Sequence, residues 1–306
     1  MVNAATVPAL LTERLSKTFG STRALDGLDL RIEQGEVFGF LGPNGAGKST
    51  TIRLLLDLIR PTAGRASVLG LDCQGQSLEV RARLGYLPGD LRLYPGLTGH
   101  QTVELIGSMR PSPVDQGYVR ELAERLDLDL TKHAGSYSKG NRQKLGLVLA
   151  LLARPPLLLL DEPTSGLDPI VQHAAWQILR EEAARGATVF FSSHVMSEVE
   201  QVCGRVGILR AGHLVAVEPV AALKERALRR IEVSFADAVP PPEEFVLPGV
   251  REIERHASTV HLEAVGDIDR LLKKLACYHV IDLHTEQPGL EDILLAYYES
   301  GPEPGA

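Results

Sequence analysis

The run Gly42-Pro43-Asn44-Gly45-Ala46-Gly47-Lys48-Ser49-Thr50 has the residue types and spacing to hold a chain of phosphates. Its glycines let successive backbone N–H groups wrap phosphate oxygens, and the start of a helix behind them adds positive potential. Lys48 reaches the β and γ phosphates, and Ser49 offers a hydroxyl to Mg²⁺. A second group lies at Leu157-Leu158-Leu159-Leu160-Asp161-Glu162, an apolar run ending in two carboxylates. At the C-terminal edge of a buried strand, where α/β sheets bind ligands, Asp161 would hold Mg²⁺ through water. Glu162 would orient and polarise the water that attacks the γ phosphate. Together the two groups describe a nucleoside triphosphatase.

These groups need a sheet to position them. Val37 to Leu41 is apolar throughout, as a strand buried on both faces would be, and it runs straight into the phosphate loop. A helix is expected from Thr50 to Ile59, closed by Pro61-Thr62-Ala63-Gly64. Leu28, Leu30 and Ile32 alternate with polar residues, the pattern of a half-exposed strand. Further strands are expected at Ala66 to Leu69, Leu84 to Leu87, Leu157 to Leu160 and Thr188 to Phe191, with helix over Gly99 to Asp127. Ser138 is a candidate N-cap for a helix whose apolar face includes Leu145, Val148, Leu149 and Leu152, and its free N–H groups could bind an anion. The class is α/β. Composition shifts near residue 230, and Pro240-Pro241-Pro242 reads as a stiff connection in or before a small α+β module. That module has strands at Ile231 to Phe235, Thr259 to Ala264 and Val280 to His284, and helices at Ile268 to Cys277 and Leu290 to Tyr298.

A chain of 306 residues, 44% hydrophobic, has material for one large core and a smaller second one. Its net charge of -7 offers no basic face for a phosphate backbone, so nucleic acid is not an expected partner. Cys73, Cys203 and Cys277 lack metal or redox spacing and read as reduced thiols. The most apolar stretch, Leu145 to Leu160, is cut by Arg154, Pro155 and Pro156 before it could span a bilayer, and residues 1 to 11 lack the basic start of a signal peptide. The cytosol is the expected address.

Read in order, the motifs resemble those of ABC ATPases over most of residues 8 to 220. Tyr137-Ser138-Lys139-Gly140-Asn141 stands where that family usually has Leu-Ser-Gly-Gly-Gln, matching at the Ser and the second Gly. Ser165-Gly166-Leu167-Asp168 resembles the family's D-loop, and His194 its switch histidine near the γ phosphate. Phe19 resembles the aromatic on which adenine stacks. The resemblance implies a P-loop fold with a mixed sheet core, an antiparallel β subdomain and a helical subdomain at about residues 90–155. It places an ATPase domain at 1–225 and an accessory domain at 226–306. It also implies ATP and Mg²⁺ as cofactors and a head-to-tail dimer with a second ATPase subunit. In that dimer Ser138, Lys139, Gly140, Asn141 and Asp168 of one subunit close on the nucleotide held by the other.

The tail Leu290-Glu291-Asp292-Ile293-Leu294-Leu295-Ala296-Tyr297-Tyr298 is similar to that of ABC-2 type drug and antibiotic exporter ATPases. The implied function is to drive export through a separate transmembrane permease subunit, with this chain peripheral on the inner face of the membrane. One departure stands out: the family usually carries a metal-touching Gln after the strand ending Tyr86-Leu87-Pro88, and here Gly89-Asp90 follows. Asp90 is the candidate substitute ligand. A GTPase would carry an Asn-Lys-x-Asp reader, which is absent from the sequence. A soluble ABC ATPase of translation or DNA repair usually carries two ATPase units or a long coiled-coil insertion, and this chain has neither.

Overall fold

The all-apolar runs lie side by side. In the computed structural model, which describes residues 7–111, 113–226 and 228–286, strands Val37–Leu41, Thr188–Ser193 and Leu157–Asp161 are buried along their whole length. They occupy the middle of a six-stranded sheet ordered His213–Pro219, Arg205–Arg210, Val37–Leu41, Thr188–Ser193, Leu157–Asp161, Leu84–Leu87. Neighbours from Arg205–Arg210 to Leu84–Leu87 run parallel. Parallel strands need helices on both faces, which is why these segments carry no polar face of their own. Phe190 anchors the interior, with its ring 6.1 Å from Phe38 and 5.1 Å from Phe40.

The alternating segment is longer than its pattern suggests. Leu28, Leu30 and Ile32 are the buried positions of strand Thr22–Ile32, which lies at the edge of a four-stranded sheet ordered Thr22–Ile32, Leu10–Phe19, Ala63–Val68, Leu71–Asp72. This sheet is antiparallel. Phe19 is the last residue of the first strand, Leu10–Phe19.

Several boundaries differ from expectation. The first helix spans Lys48–Leu55, because Asp57 takes a left-handed conformation (φ 55°) that a helix cannot continue through. The helical stretch expected from Gly99 to Asp127 is two helices, Gly99–Ser108 and Gln116–Arg125, each with its own cap: Thr98 with Gln101 for the first and Asp115 for the second. Pro111 and Pro113 between them supply no N–H to a helical ladder.

Helix Lys139–Leu151 lies unusually close to strand Leu84–Leu87. A Cβ at Gly85 would sit 2.0 Å from the Ala150 carbonyl oxygen, and one at Gly146 would sit 2.4 Å from Leu87. At Gly85 the clash would be with backbone, so only glycine allows this approach there, whereas at Gly146 the Leu87 and Leu91 side chains would have to shift; the approach fixes where Ser138 and the helix start lie relative to the sheet.

By its internal packing the chain divides into two units, between Val217 and Glu218. The second contains a four-stranded antiparallel sheet ordered Val250–Arg255, Thr259–Val265, Leu228–Phe235, Val280–Glu286, together with helix Asp269–Leu275. Ile231, Val233, Phe235, Val260, Leu262, Leu271 and Leu275 form its core. The proline run lies within this unit, leading into a 3₁₀ turn at Pro242–Phe245. The helix expected at Leu290 to Tyr298 falls outside the described residues. No helix among the described residues is long and apolar enough to cross a membrane.

Candidate functional site

The parallel register decides what meets what. Leu41 pairs with Ser193, Asp161 with Ser192 and Leu87 with Leu160, so the segments after these strands emerge at one edge of the sheet. The phosphate-loop run, Glu162, His194 and Gly89 all belong to those segments.

Gly47 caps the first helix at φ 112°, a conformation open to glycine, and no side chain covers the free N–H groups of the first turn. Lys48 follows, only 5% exposed. Its Nζ donates to the carbonyls of Gly42 (2.6 Å) and Pro43 (3.1 Å) and lies 4.0 Å from Glu162 Oε1. Burial pushes the Lys48 ammonium below its ordinary pKa, while the carboxylates of Glu162 and Asp161 pull the other way. A buried cation beside unpaired helix N–H groups fits a bound polyphosphate.

Asp161, also 5% exposed, accepts a hydrogen bond from Ser192 Oγ at 2.6 Å through Oδ1. Its Oδ2 faces Gly89, where a Cβ would come within 3.2 Å. A carboxylate oxygen left toward the loop, together with the Ser49 hydroxyl, is a donor set of the kind hard cations take, and it fits Mg²⁺.

Glu162 holds a left-handed backbone conformation, φ 50°, which costs a non-glycine residue on the order of 1–2 kcal/mol. Neighbours hold it there. Its N–H donates to Ser192 O and Oγ (3.1 and 3.2 Å), and its carbonyl accepts from Gln143 Nε2 at 2.9 Å. The twist delivers Oε1 to within 3.1 Å of His194 Nδ1. A carboxylate, an imidazole and an ammonium thus converge at the mouth of the phosphate loop, an arrangement that can orient a water and take its proton.

Sequence reasoning missed the supports of this group. Gln143, buried near the start of the Ser138-capped helix, reaches the Glu162 backbone. Ser193 Oγ and Thr164 Oγ1 each donate to Glu198 at 2.6 Å, tying the segment before His194 to the one after Glu162. Ser192, a hydroxyl at the end of the apolar run Val189-Phe190-Phe191, was an available signal; Gln143 lies within the polar stretch Ser138 to Lys144 and had none.

The other expected residues are spread more widely. Ser138 caps helix Lys139–Leu151, accepting from Asn141 N at 3.1 Å, and Lys139 Nζ donates to Ser165 Oγ at 3.2 Å. A Cβ on Gly140 would come within 2.9 Å of the Gly166 carbonyl, so this helix start and the Ser165-to-Asp168 loop are in contact. Asp168 caps helix Pro169–Ala184, and the hydrogen bond from the Val171 backbone is the main cause holding its carboxyl below the usual range. Phe19 is half exposed, with Lys17 Nζ over its ring 4.9 Å from the centre. Asp90 is not brought to the site. Its carboxylate, 75% exposed, pairs with Arg92 at 3.1 Å, and it is Gly89 that faces Asp161.

Comparison with known proteins agrees with this geometry. Residues 25–165 match the ABC transporter family. The chain is 34% identical to the daunorubicin resistance ATP-binding protein DrrA2 of Streptomyces coeruleorubidus, over 94% of each chain. It is 38% identical to the bacitracin transport ATP-binding protein BcrA of Bacillus licheniformis, over 74% of each. With the Nod factor export ATP-binding protein I of Rhizobium johnstonii it shares 34% over 92% of each. Among solved structures, an ATP-binding subunit of an ABC transporter superposes with a TM-score of 0.65 at 29% identity, covering 71% of this chain and 92% of that one. Likeness sustained along nearly the whole of both chains is more than a likeness of one shared loop, and it makes this chain an ATP-hydrolysing member of the ABC transporter family.

Proposed function

We propose that this chain is the ATPase subunit of an exporter, working on the inner face of the membrane with a separate transmembrane permease of the ABC-2 type. The observation that carries the hydrolytic part is the convergence of Lys48, Glu162 and His194 at the end of the phosphate loop. Relatives named for daunorubicin resistance, bacitracin transport and Nod factor export support the direction of transport.

In this reading the loop from Gly42 to Thr50 wraps the phosphates, and Lys48 Nζ exchanges its two carbonyl partners for phosphate oxygens. Ser49 and Asp161 would hold Mg²⁺, which when bound would supply positive charge to the phosphates. Glu162 takes the water's proton on its carboxylate. His194 fixes Oε1 by donating from Nδ1, on the side of the loop where the γ phosphate is expected. Phe19 stacks on adenine. The Ser138 helix start, with Lys139, Gly140, Asn141 and Asp168, serves the nucleotide of a second ATPase subunit head to tail. The supports at Gln143 and Ser192 keep Glu162 in its strained pose between turnovers.

Purification of the tagged chain from its own membranes tests the proposal. A co-purifying protein with about six membrane spans is expected, with ATP turnover in the complex that responds to transported substrate. Capture of ribosomes or DNA in place of such a protein would replace the proposal with a soluble role.

A further inference from the structure

The second unit carries a group of side chains that nucleotide chemistry does not use. Strands Val250–Arg255 and Thr259–Val265 form a hairpin closed by His256 N donating to Thr259 O at 2.8 Å. Alternate residues of extended chain share a side, so Glu254 and His256 fall together. The pairing shifts by one residue between Glu252 and Glu254, moving from Glu252 opposite Leu262 to Glu254 opposite His261. Without this bulge Ile253 would stand opposite His261. The irregularity therefore aims a carboxylate at an imidazole, a known use of bulges.

The three side chains are near ligand geometry. One donor atom of each lies within 4.8 Å of the other two, and His256 Nε2 is 3.3 Å from Glu254 Oε1. The imidazoles of His256 and His261 have centres 5.9 Å apart at 87°. A tetrahedral ion with bonds near 2.0–2.1 Å needs donors about 3.4 Å apart. One edge already has that length, and because Glu254 and His256 are exposed their side chains are free to close the others. A simple ion pair would account for Glu254 with His256, but not for His261 as the third corner. The next positions across the sheet continue the pattern, with Glu232 opposite His261 and His284 opposite Glu232. A cavity of about 360 Å³ lies over this face, lined by Glu232, Glu254, His261 and His284 among others, and it leaves room for water on the ion. Glu232 is placed to support His261 from behind, as carboxylates beside metal-bound histidines do.

We propose that Glu254, His256 and His261 form a binding site for a borderline divalent ion of the Zn²⁺ type. Two imidazoles and one carboxylate select such ions over Mg²⁺ and Ca²⁺, which prefer oxygen alone. The site is distinct from the nucleotide site, whose candidate metal ligands, Ser49 and Asp161, offer only oxygens. Bound metal would tie the hairpin's two strands together near its turn.

Calorimetric titration of the full, nucleotide-free chain with Zn²⁺ tests this, in a Cys277→Ser background so that the exposed thiol does not compete. One tight site is expected, weakened at least tenfold in both His256→Ala and His261→Ala, retained in His194→Ala and undisturbed by excess Mg²⁺. Glu254→Gln, which keeps the shape of an exposed side chain, covers the case in which losing an imidazole disturbs the hairpin, and the same weakening is expected. Zn²⁺ should also raise the melting temperature of the parent and not of these three variants. Absence of a site in the parent, a site lost only in His194→Ala, or unchanged affinity in the three hairpin variants overturns the proposal.

Discussion

Replacing Glu162 by Gln changes one charge at the centre of the site and little else. The backbone pose at φ 50° is held by Ser192 and Gln143 through main-chain groups, so it should survive. The amide oxygen can still accept from His194 Nδ1, 3.1 Å away in the parent. What disappears is the group that takes the water's proton, and such a group contributes about 10²–10⁴ in rate, or roughly 3–5 kcal/mol of barrier. Binding should not suffer. The carboxylate lies 4.0 Å from Lys48 Nζ, and removing it frees that ammonium's field for the phosphates, while Asp161 remains as a counter-charge against burial. Turnover at saturating ATP, nucleotide titration and circular dichroism together form the assay, with sizing in ATP and Mg²⁺ to detect a trapped dimer. A folded mutant that turns over within tenfold of the parent would remove Glu162 from the proton transfer. One that loses ATP affinity would instead place it in binding.

Four further outcomes are expected. Lys48→Ala should weaken ATP binding at least tenfold in a folded protein, since it deletes the buried charge beside the phosphate loop; titration with nucleotide checks it. Glu182→Ala should cost about 2 kcal/mol in urea unfolding, because it strands the Tyr118 hydroxyl (3.0 Å) and two half-exposed arginines, Arg154 and Arg185, while Glu182→Gln should cost less. Of the three thiols, only exposed Cys277 should react with a maleimide at pH 8 in the native state. Burial pushes Cys73 up to about 12 and raises Cys203 as well, and mass spectrometry of the labelled protein reads the result. Asp90→Ala should cost about half a kcal/mol or less and leave the magnesium dependence of hydrolysis unmoved, given an exposed carboxylate bound to Arg92; a magnesium titration of both proteins decides it.

The chemistry was legible along the chain because its groups are local. A phosphate loop is a contiguous run between a strand and a helix, and Asp161 and Glu162 announce themselves by ending an apolar one. Apolar runs marked the central strands, and alternation at Leu28, Leu30 and Ile32 marked the end of Thr22–Ile32, since burial on two faces or on one leaves different periods. Tertiary structure decided the rest, for reasons of register and contact. That Glu162 Oε1 meets both His194 and Lys48 depends on the parallel pairing of Thr188–Ser193 with Leu157–Asp161 on one side and with Val37–Leu41, far away in sequence, on the other, which no local pattern encodes. The strain at Glu162, and its relief by Gln143 and Ser192, exist only when the helix from Lys139 is drawn onto the sheet past Gly85 and Gly146. In the same way Asp90 kept the right chemistry for a metal ligand one residue from the expected place, but the backbone turned Gly89 toward Asp161 and left the Asp90 carboxylate to Arg92. The three histidine-hairpin ligands were each visible as letters, and a single bulged residue, Ile253, is what made them neighbours.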